Sequence, residues 1–131
     1  MTFVVGDVSS PIEIEGVHGG QASIRWKRFV TGNMLHGDLD SFEWAQIPPD
    51  GMIGSHVHSR TEEIYYIVRG TGEMNMDGEA IHVGPGDLVL TPLNSRHSFR
   101  PTSQEPVEII VCEMLPPEIL ARLPPHSPDE S

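Results

Sequence analysis

From Ser23 onward, apolar and polar residues alternate in short runs, and Gly, Pro or Asn interrupts the runs every few positions. A period of two marks half-buried strands, because successive side chains leave an extended backbone on opposite faces. The pattern predicts strands over SIRWKRFV, FEWAQIP, IGSHVH, EIYYIVRG, GEMNM, EAIHVG, DLVLTP, HSFRP and VEIIVCEM. These recur roughly every eight to twelve residues, the rhythm of an all-β sandwich or barrel. Asp77-Gly78 separates two alternating segments and predicts a tight hairpin pairing Glu73–Met76 with Glu79–Val83. Residues 1–20 read as an irregular or edge-strand arm, residues 21–115 as the barrel-forming body, and residues 116–131 as a C-terminal segment. In that last segment PPEILARLPP allows one short helix before proline stops it, and PPHSPDES reads as a disordered tail.

The 131 residues are enough for one domain with a core that needs no disulfide staple. The 13 Gly and 12 Pro supply the many turns that such a chain requires. A formal net charge of −11 argues against nucleic acid and anionic membrane as partners, since both demand a clustered positive field. Cys112 is the single cysteine and cannot form an internal disulfide, and MTFVVGDVSS lacks the basic start and apolar run of a secretion signal. No apolar run reaches the roughly 18 residues of a membrane span. These features together suggest a protein of the reducing cytoplasm.

One stretch does not fit a purely structural strand. HVHSRTEEIYYIVRG, from His56 to Gly70, opens with two histidines one residue apart and carries two glutamates before its apolar part. On an extended backbone His56 and His58 point the same way and can share a metal ion. A carboxylate a few residues on can return to that ion if SRT turns, and Glu62 and Glu63 are both available. If Glu63 faces inward, so do Tyr65 and Ile67. A further ligand must come from elsewhere, and His97 in PLNSRHSF begins another strand after a turn at Asn94.

At these residues the chain resembles the cupins. The first cupin motif is glycine, five residues, His-x-His, three or four residues, Glu, six residues and glycine. His56, His58, Glu63 and Gly70 match it in order and spacing, while Asp50 stands where the first glycine is expected and Gly51 follows. The second motif resembles GDLVLTPLNSRH through Gly86, Pro92 and His97. Asn94 replaces a turn glycine, which its tolerance of left-handed backbone permits, and Pro101 replaces the last Asn. The likeness runs over about Ser41 to Met114 and includes the hairpins of GTGEMNMDGEAIHVGPGD.

The resemblance implies an antiparallel jelly-roll barrel with a divalent ion held inside by His56, His58, Glu63 and His97. It further implies a metal-dependent enzyme acting on a small organic metabolite. Oxygenase chemistry with iron is the first expectation. Manganese, nickel or zinc are the other metals, and lyase, decarboxylase, isomerase or cyclase the other reactions; a binding or sensor barrel without catalysis is the rival reading. Tyr65, inward beside the ligands, is the candidate catalytic residue. Ile67, Met74, Met76 and Phe99 are expected to wall the substrate pocket, with Gln46 at its mouth. His18, His36, His82 and His126 fall outside the motifs and are expected at the surface. Cys112, in an apolar strand with no basic neighbour, reads as a buried thiol. The arm and SIRWKRFV precede the minimal barrel and could pair with a partner's edge strand, which suggests a homodimer.

Overall fold

A computed structural model describes residues 6–124 of the chain. Among these residues ten strands form two antiparallel sheets that face each other as a jelly roll. The strands are β1 (Ile12–Glu15), β2 (Ser23–Thr31), β3 (Leu39–Ile47), β4 (Ile53–Val57), β5 (Glu62–Arg69), β6 (Gly72–Met76), β7 (Glu79–Val83), β8 (Leu88–Thr91), β9 (Arg96–Pro101) and β10 (Val107–Met114). One sheet has the order β1-β2-β3-β10-β5-β8 and the other β4-β9-β6-β7.

The sequence alternation reappears as burial. In β5, Glu63, Tyr65 and Ile67 are buried while Glu62, Tyr66 and Val68 are exposed; in β10, Val107, Ile109 and Val111 are buried. The inward rows of the two sheets, with Phe99 and Met74 from the smaller one, form one apolar core. The β6–β7 hairpin pairs Met76 with Glu79. Its two turn residues, Asp77 (φ 49) and Gly78 (φ 88), both take positive φ, the conformation that matches strand twist across a two-residue loop. Asn94 likewise sits at φ 67, as its tolerance of left-handed backbone allows.

One strand begins earlier than expected. Strand β3 begins at Leu39 rather than Phe42, because Leu39 and Ser41 pair with Met114 and Glu113 of β10 around a local register shift. Within the arm, residues Ile12–Glu15 take the edge-strand form. Its β1 adds to the edge of β2, with Ile12 opposite Trp26 and Glu15 opposite Ser23. A 3₁₀ turn, Val17–Gly19, then carries the chain across the barrel mouth to a backbone bridge between Gln21 and Met52. That crossing needs glycine at two positions. A Cβ on Gly20 would lie 1.7 Å from the Met52 carbonyl oxygen, and one on Gly54 would lie 2.0 Å from that of His18. At the other end α1 (Pro117–Leu120) is a single turn opened by proline. Residues 125–131, which include His126 and nearly all of the expected tail, lie outside the described residues.

Candidate metal centre

The ligand candidates converge from both sheets. His56, one residue before the end of β4, stands directly opposite His97 of β9, so these two rings come from the smaller sheet. Glu63 comes from β5 of the larger sheet, and His58 follows β4 where the chain crosses between them. One donor atom from each of His56, His58, Glu63 and His97 lies within 4.8 Å of the others, so the group could hold a metal ion. Glu63 and His97 are 2 % exposed each. Glu62, the other candidate carboxylate, is exposed at the start of β5.

The donor atoms are those that a metal would need. Nε2 of His56 is buried without a hydrogen-bond partner, an arrangement that is costly unless something fills it, and the buried Nε2 of His58 and Oε1 of Glu63 are turned toward each other. The opposite ring nitrogens are occupied. His56 Nδ1 donates to the Gly54 carbonyl at 2.8 Å, and His58 Nδ1 lies 3.2 Å from the Thr61 hydroxyl. Hydrogen bonds of this kind fix the imidazole tautomer and turn the Nε2 lone pair toward the cavity. His58 Nε2 and Glu63 Oε1 are in direct contact, and His97 Nε2 is 3.9 Å from the same carboxylate oxygen. The residues present therefore fit a divalent ion in donor chemistry as well as position.

The electrostatics favour neutral imidazoles at His56 and His97 and an ionised carboxylate at Glu63, the protonation states that metal binding requires, whereas in metal-free protein His58 is held toward its protonated form. Burial, aided by the charge of the neighbouring His56, lowers the His97 pKa to about 4. Burial also lowers that of His56. At Glu63 burial pulls upward, but the hydrogen bond and charge of His58 prevail and hold the carboxyl below its ordinary value. At His58 burial pulls downward and the Glu63 carboxylate reverses it, so His58 is raised. Burial and the nearby Glu63 charge push the Tyr65 phenol well above its ordinary value, so it stays protonated. The Tyr65 hydroxyl stands 3.3 Å from His97 Nε2.

Above these groups lies a cavity of about 100 Å³ lined by Ile24, Trp26, Glu43, Ala45, Ile53, Tyr65, Ile109, Val111 and Glu113 besides the ligand candidates, with Val17 and His18 at its mouth. The expected pocket wall is different. Ile67 and Met74 are fully buried and Phe99 is 2 % exposed; they pack in the apolar core, and the cavity is lined by other residues. Met76 is partly buried against that core and stands opposite His97 across β6 and β9. Gln46 faces away altogether. Strand parity puts Glu43 and Ala45 inside, so Gln46 lies on the outer face, where its side-chain oxygen accepts a hydrogen bond from Arg25 at 3.2 Å.

Sequence reasoning missed Glu43, Glu113 and His18. The two glutamates occupy inward positions of β3 and β10, visible only once the strand registers are known. His18, although exposed, stacks on His56 with ring centroids 3.7 Å apart and planes 11° from parallel. Its only signal in the sequence is its setting among Gly16, Gly19 and Gly20, which lets the arm fold tightly over the mouth. His36 and His82 are exposed as expected. Cys112 is half-buried on the outer face of β10.

Similarity to known proteins agrees with this geometry. The chain is 26% identical over 106 residues to an oxalate-binding protein of Thermotoga maritima, covering 81% of this chain and 88% of that one. A 59-residue stretch is 36% identical to a 5-nitrosalicylic acid 1,2-dioxygenase of a Bradyrhizobium species, covering 45% of this chain and 28% of that enzyme. The crystal structure of a predicted oxalate decarboxylase from Thermotoga maritima superposes with a TM-score of 0.82 at 25% identity, over 86% of this chain and all of that one. The cupin domain model matches residues 43–113, the span that carries both histidine motifs, and the chain belongs to the cupin family.

Proposed function

We propose that the protein is a metal-dependent cupin enzyme acting on a small organic molecule, with oxygenase chemistry at iron as the leading form. The observation that carries this reading is the convergence of one donor atom each from His56, His58, Glu63 and His97, with the buried His56 Nε2 unpartnered, under an open cavity. Bound there, a divalent ion would supply Lewis acidity and, as iron, redox activity toward dioxygen. Four protein donors fall short of the six that iron, manganese and nickel commonly take, which is the design of a catalytic rather than a structural site.

The chain's own residues would do the rest. The apolar wall of Ile53, Ile109 and Val111 keeps water from the reacting atoms. Tyr65, held protonated, serves as a hydrogen-bond donor toward whatever binds beside His97. Lyase, decarboxylase, isomerase or cyclase chemistry would use the same residues. A non-catalytic binding role has one specific support, the relative named for binding oxalate.

Paired amide substitutions test the reading. In protein prepared with iron, manganese, nickel or zinc, Glu63→Gln should lower metal content at least severalfold, whereas Glu62→Gln should leave it near one ion per chain. Metal content unaffected by Glu63→Gln and by the double change His56→Ala, His58→Ala would remove the basis for a metal centre. Normal loading without turnover of any screened metabolite or uptake of dioxygen would favour the binding role.

A further inference from the structure

The arm sets against the ligand cluster one histidine that no ligand role uses. His18 lies in the 3₁₀ turn Val17–Gly19, and its ring stacks on that of His56 with centroids 3.7 Å apart and planes 11° from parallel. His58 and His97 meet the same His56 ring at steep angles, 68° and 65°. His18 is not among the four residues whose donor atoms converge. It touches His56 through the face of its ring, at the mouth of the cavity.

Several contacts hold that ring in place. Val17 packs against the barrel core, the Gly20 amide donates to the Val17 carbonyl at 2.8 Å, and the Gln21 amide donates to the Met52 carbonyl at 3.0 Å. His18 itself takes a left-handed backbone (φ 52, ψ 37), between Gly16 at φ 59 and Gly19 at φ 74. Outside glycine this conformation is sparsely populated and persists where surrounding structure enforces it, often at functional sites. Gly54 joins the two histidines. Its carbonyl accepts the hydrogen bond from His56 Nδ1, and its Cα lies so close to the His18 carbonyl that no side chain fits. The stack supplies what the hydrogen bond lacks. The last side-chain torsion of histidine is soft, so a single bond from Nδ1 leaves the His56 ring able to tilt about it, whereas a metal ligand must be held to within about 10–20° of its productive direction. A second flat ring against one face removes that tilt and keeps the buried, unpartnered His56 Nε2 turned to the cluster.

We propose that His18 is a positioning residue of the metal centre: the arm carries its ring onto His56 and fixes that imidazole in the orientation a metal ion needs. This rests on the reading of His56, His58, Glu63 and His97 as a metal centre, and it adds to that centre a segment outside both histidine motifs. Coupling between two sites is reciprocal, so a metal ion bound at His56 in turn holds the arm against the barrel.

The test uses full-length protein and zinc, with the dissociation constant read by competition against a chromogenic chelator. His18→Asn keeps a residue that accepts left-handed backbone and removes the ring; it should weaken zinc binding about fivefold or more. His18→Phe restores a flat ring without ring nitrogens and should recover most of that loss. A smaller effect of His18→Asn would overturn the positioning role while leaving the metal centre standing, and a Phe variant as weak as the Asn variant would overturn it by showing that a ring nitrogen, not the stacked face, acts. Parent protein that takes up no zinc would overturn both readings. Amide hydrogen exchange checks the reciprocal effect. In the parent, zinc should slow exchange at Gly20 and Gln21 more than at Thr102, whose amide bonds to the Thr71 carbonyl past the end of β9 remote from His97, and the difference should vanish in His18→Asn. Equal slowing at all three amides in the parent would count decisively against the proposal.

Discussion

At the scale of single residues, the centre is built from groups whose charge the fold controls, and in metal-free protein those groups set opposing pH limits. His97 has a folded pKa of about 4 against an ordinary 6.5, so the fold favours its neutral form. The stability it contributes is present above pH 6.5 and is lost as pH falls toward 4, on the order of 3 kcal/mol in full. Glu113 runs the other way. Burial and the neighbouring Glu43 and Glu63 charges raise it to about 7 from 4.5, so its contribution is present below pH 4.5 and lost as pH rises through 7. Melting of metal-stripped protein should therefore peak between about pH 5 and 7, and Glu113→Gln should flatten the alkaline decline while leaving the acid limb in place. A decline above pH 7 that persists in Glu113→Gln would show that another group causes it.

At the scale of elements, strand parity decides which residues meet. Counting back from the turn at Gly70 (φ 79) puts Glu63 and Tyr65 inside and leaves Glu62 out, which is why that part of the centre was legible in the sequence. The same rule, applied to FEWAQIP without a fixed turn to count from, left Gln46 at the pocket mouth when its side chain points outward. The arm shows a different limit. Its place across the mouth depends on backbone approaching backbone at Gly20 and Gly54, which no hydrophobic pattern records. Gly54→Ala would set a methyl 2.0 Å from the His18 carbonyl oxygen and should cost about 2 kcal/mol and displace the arm. Gly84→Ala, whose Cβ would meet only Thr71 Cγ2 at 3.5 Å, should be near neutral. Urea unfolding midpoints for the two variants that coincide would count against this account of the arm.

At the scale of the whole molecule, the two open ends of the larger sheet bear on assembly. The arm was expected to reach a partner's edge, but β1 pairs with β2 of its own chain and itself becomes the outermost strand. At the opposite edge β8 exposes Leu88 and Leu90, 56% and 61% accessible, beside Tyr66 and Val68 of β5. Unpaired strand edges and clustered apolar side chains both favour association, while a net charge of −11 opposes it until salt screens the repulsion. The homodimer remains our expectation, and its population should rise with ionic strength. Light scattering that returns the mass of one chain at tens of micromolar, in both low and high salt, would rule it out. No helix among the described residues is long and apolar enough to cross a membrane.

What the sequence by itself determined is local and periodic. Alternation defines the strands, Asp77-Gly78 and Asn94 define turns by their tolerance of positive φ, and the spacing of His56, His58 and Glu63 places three donors toward one interior. Only the tertiary structure decided what surrounds those donors. Glu43 and Glu113 come from strands far apart in the chain, and His18 arrives through an arm whose path is set by close glycine contacts. Ile67, Met74 and Phe99 share the right parity yet lie too deep to line the cavity. Parity along a strand says which face a side chain takes, but depth within a barrel and proximity across sheets depend on the register and closure of the whole, which short-range pattern does not encode.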